Sequence, residues 1–362
     1  MRRLSSKKRL AHNRRVDRIE RYRFKIASQE RSRAASRRRR YAKRLTFSFQ
    51  RISLPAKVSL AAEVDREALL RAIHDIKKAV SSESVSSVLL DFSKVVKLYP
   101  SGTILLVSEI HRLLEYEPYR LKLKSTYPED KIVEQFFQYV GLIDQLGLDS
   151  RLNDIDDESV VNWLCVSGTE GNLDAIADEL PDLLVEGANQ ALRIAVTTGM
   201  AEAVANSAEH AYIIPRQDGV TRVAEKKWWA FAREKDDVFQ VVICDLGAGI
   251  PKTLRKTWPE EAAKIAQRMV GKKLQDHVLI ESALKVGRTR TEKGHRGKGL
   301  KDILKAVDSN SVGSIEIFSN RGLFAFDGAS RKSVKRSFKG SIYGTIVQWS
   351  IPIEEFNRIH RQ

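Results

Sequence analysis

The sequence predicts an α/β protein made of a basic N-terminal arm and two folded parts. Three observations carry that expectation. The nearly unbroken apolar run Val238 to Cys244 has the pattern of a strand buried on both faces, and it stops abruptly at Asp245, followed by Gly247 and Gly249. From Leu45 to about Gly147, short apolar or alternating stretches take turns with amphipathic helical stripes. The charge is unevenly placed: residues 1–44 hold 19 of the 63 Lys and Arg and 3 of the 46 Asp and Glu, so 16 of the net +17 lies in the arm. The rest of the 362-residue chain is nearly neutral and long enough for two cores.

The arm, Arg2 to Arg44, includes Arg37-Arg-Arg-Arg40, has few large apolar residues and carries no glycine or proline. It reads as a fraying basic helix or a disordered segment. Lys and Arg at this density can neutralise phosphates and release counterions without reading sequence, so nucleic acid is one expected partner; a solvated tail or a protein-docking arm is the other reading. If the arm grips nucleic acid, affinity will fall steeply with added salt and be lost on deletion of residues 1–44. Full binding by the truncated protein excludes that role.

In the first folded part, residues 45–150, Leu45 to Ile52 alternates like a strand, Asp65 can cap a helix running to Val80, and Val88 to Phe92 is a short buried strand. A helix starting beside Ser101-Gly102 carries Ile104, Leu105, Val107, Ile110 and Leu113 on its apolar stripe. Another, from Glu129, is expected to end at Gly141. The acidic segment Asp149 to Glu158 is the expected linker.

The second part, residues 160–355, opens with a strand, Val160 to Val166, and a turn from Gly168 to Gly171. Helices follow over Leu173 to Leu184 and from about Ala188 to Tyr212, and Lys252 to Val270 is helical and exposed in pattern. Val286 to Leu300 is rich in glycine and cations and leads into a helix from Leu300 to Val307. Such a backbone makes a nest of N–H donors for an anion, with Arg288, Arg290, Arg296 and Lys298 as charge partners; a surface loop is the alternative. Ser314 to Ser319, Leu323 to Asp327 and Ser341 to Ile351 alternate like antiparallel strands.

Several classes are excluded. The longest apolar runs, such as Ile104-Leu-Leu-Val107, are far too short to span a membrane and no apolar leader stretch follows the first basic residues, so a cytoplasmic protein without a membrane partner is expected. Cys165 and Cys244 are too few for a disulfide framework and lack metal-ligand spacing. Gly247-Ala-Gly249 lacks the third glycine of a dinucleotide fingerprint, and no Gly-x-x-x-x-Gly-Lys-Ser/Thr phosphate loop is present.

Two stretches carry chemistry. Asp245 offers acceptor oxygens and no donor, suited to an exocyclic amine, beside glycines that let a backbone turn closely; an ordinary turn is the other reading. Glu202 and Asn206 are four apart and so share a helix face. The carboxylate can orient or deprotonate a water or hydroxyl, and the amide oxygen is a hard ligand suited to Mg²⁺ bridging phosphates; a solvated polar face is the alternative.

The order Glu202-x-x-x-Asn206 on a long helix, Asp245-x-Gly247-x-Gly249 after a strand, Gly297-Lys-Gly299-Leu300 before a helix and Gly344-Thr345 in a late strand resembles the GHKL superfamily of gyrase B, MutL, heat-shock chaperone ATPases, histidine kinases and anti-sigma serine kinases. The string Glu202 to His210 is most similar to the anti-sigma kinases. The resemblance implies a Bergerat α/β sandwich, a mixed sheet covered by helices, binding ATP and Mg²⁺. It implies that Asp245 accepts from the adenine amine with Thr345 in support, Gly247 and Gly249 make room for the base, and Asn206 holds Mg²⁺. It further implies that Gly297 and Gly299 close a lid on the phosphates and that Glu202 is the general base, with His210 structural or on the phosphate side. More distantly, residues 45–125 resemble the STAS domain of anti-sigma factor antagonists, where Ser101 stands at a phosphorylated position; a helix N-cap is the simpler role for it.

The expected function is ATP hydrolysis that drives or gates a conformational change, on nucleic acid held by the arm. The alternative is a serine-kinase or regulatory module that phosphorylates or sequesters a protein. An unidentified protein and a second copy of the chain complete the expected partners.

Overall fold

The computed structural model describes residues 48–82, 84–116, 122–152, 160, 163–173, 190–220, 226–268, 274–286 and 312–359. They are mixed α/β, with helices and sheets in both of two compact units. The first unit takes the described residues within Met1–Leu54, Asp75–Val96 and Leu113–Val161, the second those within Pro55–His74, Lys97–Arg112 and Asn162–Gln362. The second unit therefore recruits two segments from before residue 113. Among the described residues, no helix is long and apolar enough to cross a membrane.

The elements of the N-terminal stretch run β1 (Ser48–Ser53), β2 (Lys57–Val58), α1 (Glu63–Ser81), β3 (Val85–Asp91), β4 (Lys97–Leu98), α2 (Pro100–Tyr116), β5 (Lys122–Ser125), α3 (Lys131–Tyr139) and α4 (Leu142–Gln145). In the first unit β1, β3 and β5 form a parallel sheet with β3 central, a topology that requires a crossover between each pair of neighbours. Ile52, Val88, Leu90 and Phe92 are buried, and Phe92 meets the Phe137 ring edge-on at 4.9 Å. Such side chains each contribute about 1.5–3 kcal/mol by leaving water. Asp130 caps α3 by accepting from the N–H groups of Ile132 and Val133, and Gly141, at φ 76°, turns the chain into α4. The first residues of the expected linker pack against this unit, Arg151 forking onto Glu134 at 2.6 and 2.9 Å.

Two local expectations change. α1 begins at Glu63, so Asp65 lies inside its first turn, where a carboxylate favours the helix dipole, rather than capping it. α2 begins at Pro100, whose fixed φ and missing N–H suit the first helical position, and the Tyr99 carbonyl accepts from Thr103 N at 2.8 Å. Ser101 is therefore one residue inside the helix and is buried, not a cap.

The second unit continues with β6 (Trp163–Gly168), α5 (Gln190–His210), β7 (Trp228–Lys235), β8 (Val238–Asp245), α6 (Ile250–Thr257), α7 (Pro259–Arg268), α8 (Asp276–Val286), β9 (Ser314–Ser319), β10 (Gly322–Asp327), β11 (Lys332–Ser337), β12 (Thr345–Pro352) and α9 (Ile353–Ile359). Seven strands form one sheet in the order β11-β10-β9-β12-β8-β7-β6. Every described pairing in it is antiparallel, where the resemblance implies a mixed sheet. The reason is local: β7–β8, β9–β10 and β10–β11 are hairpins, and β12 returns between β9 and β8 against both. Asp236 and Asp237, at φ 51° and 60°, supply the left-handed pair that a two-residue hairpin requires. Val196, Met200 and Val204 of α5, Ile280 and Leu284 of α8, and Ile353 and Phe356 of α9 bury themselves with Val241, Ile243, Ile317, Val347 and Trp349 of the sheet.

Candidate functional site

Asp245 follows Val241 and Ile243 at the period of two, so it ends the row of β8 side chains that faces the core shared with α5. Its cross-strand neighbour on β12 is Thr345, whose own neighbour on β9 is Ser319. Three adjacent strands thus bring a carboxylate and two hydroxyls to one edge of the core. All three residues are buried.

Asp245 accepts from Gly247 N at 2.9 Å, with Thr345 beside it across the strand pair. Burial pushes its pKa up to about 6, against the opposing pull of Gly247, Thr345 and the Arg216 charge. A carboxylate has about four acceptor positions, so the Gly247 N–H leaves acceptor capacity for a further N–H. Ser319 donates to the Gly344 carbonyl at 3.1 Å, lies 3.1 Å from the Thr345 hydroxyl, and accepts from Ile250 N at 2.8 Å.

The glycines after Asp245 are explained by packing. A Cβ on Gly247 would overlap the Ala211 carbonyl and come within 2.6 Å of the Ala211 methyl, where Ala248 N donates to Ala211 O at 2.7 Å. Gly249, at φ 82°, would place a Cβ 2.6 Å from the Asn320 side chain, whose Nδ2 donates to Ala248 O at 3.0 Å. What meets both bare Cα positions is thus protein, Ala211 and Asn320. Gly247→Ala should destabilise the second unit by about 1–3 kcal/mol, the usual cost of overpacking, read as a lowered urea midpoint. An unchanged midpoint would remove this account.

Ala211 directly follows α5, so the contact with Gly247 ties the loop after Asp245 to the end of the helix bearing Glu202 and Asn206. At 1.5 Å per residue they lie roughly 13 and 7 Å back along the axis from Ala211. α5 turns Met200, Ala203, Val204 and Ser207 inward, leaving Glu202 and Asn206 half-buried and His210 exposed. The Asn206 Nδ2 is buried and has no hydrogen-bond partner among the described residues. An amide left in this state has spare capacity for a ligand, and turned over it presents the hard oxygen that Mg²⁺ takes. Among the described residues, no group of three His, Cys, Asp or Glu could hold a metal. The unpartnered Asn206 amide is the group among them that fits a hard-oxygen contact to a magnesium ion.

Charged residues absent from any sequence motif surround the carboxylate end. Arg216 forks onto Glu109 of α2 at 2.5 and 3.2 Å and donates to Ile342 O at 3.1 Å; Arg112 holds Asp218 at 2.5 Å. Burial works against the charge on Arg216, but Glu109 and Asp218 outweigh it and raise its pKa. Tyr212 donates to Lys227 O and accepts from Leu246 N at 3.2 Å. These side chains pin residues 212–218, just past α5, in place.

The structure brings together Asp245, Gly247, Gly249 and Thr345, and joins them to the helix of Glu202, Asn206 and His210. Ser101 is on α2. Gly297, Gly299, Arg288, Arg290, Arg296 and Lys298 lie outside the described residues, as does the arm of residues 1–44. Comparison with protein-family models and with curated proteins finds no match to this chain.

Proposed function

We propose that residues 160–355 form a GHKL-type ATP-binding domain with a Bergerat sandwich, and that the protein hydrolyses ATP. One observation carries the reading: Asp245 with Thr345 across the sheet, and Gly247 packed on Ala211 at the end of the Glu202–Asn206 helix, unite three of the four sequence motifs at one edge of one core. In this reading Asp245 accepts from the adenine amine through acceptor capacity that Gly247 N leaves unused. Asn206 holds Mg²⁺, which when bound neutralises charge on the phosphates. Glu202 orients the attacking water and takes its proton. Gly297 and Gly299, with Arg288, Arg296, Lys298 and His210 as charge partners, close on the phosphates. The STAS-like character of residues 45–150, nucleic acid as partner of residues 1–44, a protein partner, self-association and a cytoplasmic location are proposed with it.

The alternative, a serine kinase or sequestering module, shares the same ATP site and differs in where the phosphoryl group goes. Burial of Ser101 inside α2 argues against that serine as the acceptor in this arrangement. Incubation of the full chain with Mg²⁺ and γ-labelled ATP, with and without DNA or candidate proteins, separates the outcomes. Free phosphate is expected; label on a protein serine would transfer the conclusion to the kinase, and absence of both ATP binding and label transfer would end the reading.

A further inference from the structure

Four charged side chains outside the sequence motifs are buried together in the second unit. Glu109 and Arg112 come from α2, Arg216 and Asp218 from the chain just past α5, and no side chain of the four is more than 6% exposed. Arg216 forks onto Glu109 at 2.5 and 3.2 Å and lies 3.3 Å from Asp218. Arg112 lies 2.5 Å from Asp218 and 3.4 Å from Glu109. Each guanidinium thus meets both carboxylates, and within the quartet the charges cancel. Apolar side chains of similar volume would fill the space without desolvating four ions, so stability alone does not account for the cluster. What forked ion pairs add is direction, because a guanidinium holds oxygens in its own plane.

The same Arg216 nitrogen that reaches Glu109 at 2.5 Å donates to Ile342 O at 3.1 Å, three residues before Thr345. At the other end of this stretch, the Tyr212 hydroxyl accepts from Leu246 N at 3.2 Å and Ala211 O accepts from Ala248 N at 2.7 Å. Residues 211–218 therefore hold the chain after Asp245 by two backbone amides and the chain before Thr345 by one carbonyl, and Glu109 of α2 anchors them. We infer that Arg216 is a positioning residue: held between Glu109 and Asp218, it acts as a latch through which α2 sets residues 211–218 and the loops that follow Asp245 and precede Thr345. The effect of the latch on ATP rests on the nucleotide reading of those loops; its effect on the loops themselves does not.

The test compares the full chain with Glu109→Leu, Arg216→Met and the double variant by urea midpoint, hydrogen exchange of peptides spanning residues 244–250, and Mg-ATP affinity. Each single change leaves a buried charge uncompensated and is expected to lower the midpoint. The double variant keeps the Arg112–Asp218 pair, neutral by itself, so its midpoint is expected to return to the parent's. Its Leu246 and Ala248 amides should nevertheless exchange about threefold to tenfold faster than the parent's, the scale of one hydrogen bond, and ATP affinity should fall by a similar factor. A merely structural role would restore all three readouts together, so parent-like exchange in the double variant overturns the inference. An unchanged midpoint in either single variant overturns it too, as does ATP affinity that holds while exchange accelerates. Should the midpoint of the double variant not recover, Arg216→Lys, which keeps the charge but cannot fork onto Glu109, must accelerate the same two amides or the inference falls. A parent chain that binds no ATP removes the nucleotide reading, while exchange at Leu246 and Ala248 still decides the latch.

Discussion

Glu202→Gln is expected to lower ATP turnover by about 10²–10⁴-fold while ATP binding stays within a few fold of the parent. The two side chains match in shape and in helix propensity, and position 202 is half-buried on the polar side of α5, away from Met200 and Val204. Folding should therefore be preserved, and the change isolates the loss of a proton acceptor. Glu202 and Asn206 are one helical turn apart on one face, so a group orienting the nucleophile and a group holding the metal are carried by one rigid element, and neither depends on a loop for its placement. Phosphate release at saturating Mg-ATP, set beside equilibrium binding of ATP, measures the two effects separately. Unchanged turnover would remove Glu202 from the chemistry, and parallel loss of binding and turnover would make it a structural residue of α5.

The parts of this fold legible in the sequence are those where one residue pattern has one physical cause. β8 is visible because Val241 to Cys244, covered on both faces, is apolar throughout, and β9 and β12 because half-covered strands alternate. β11 is invisible for the converse reason: all six of its residues, Lys332 to Ser337, are exposed at the sheet edge, so burial imposes no period, and its lysines are what an unpaired edge favours. β7 hides behind the clustered aromatics Trp228, Trp229 and Phe231, which suit a buried strand and a helix equally. At the site, the need for glycine at 247 and 249 is readable from spacing, but the identity of what presses on them, Ala211 and Asn320, is set by a helix end and a hairpin distant in sequence. Ser319, Arg216 and Glu109 carry no motif at all. They act because strand register and the recruitment of residues 97–112 into the second unit put them beside Asp245 and the loop after α5, and single-sequence spacing does not encode register between strands so far apart. The division of the chain shows the same effect, since a segment's burial partners can lie in either unit.

Asp245→Asn is expected to weaken ATP binding by about 1.5–3 kcal/mol, the contribution of a charge-assisted hydrogen bond, or roughly 10- to 150-fold. The amide cannot restore it: with its oxygen taken by Gly247 N, its nitrogen would face the purine amine donor to donor. The pH dependence supplies a second, independent readout. Burial raises the native pKa to about 6 from an ordinary 3.8, so between those values the native state binds more protons than the unfolded state. This group therefore stabilises the fold most below pH 4, and its contribution is lost as pH rises through 6. The Asn variant has no such titration and should lose less stability than the parent over that range in urea unfolding. ATP affinity runs the opposite way, because the amine requires the ionised carboxylate: the parent should bind more weakly as pH falls through 6, while Asp245→Asn, already weak, should change little. Equal affinity of the two proteins at pH 8 would overturn the adenine assignment. Parallel pH profiles of stability would instead show that the carboxylate titrates near its ordinary value, and that the desolvation at the end of β8 is relieved by something other than protonation.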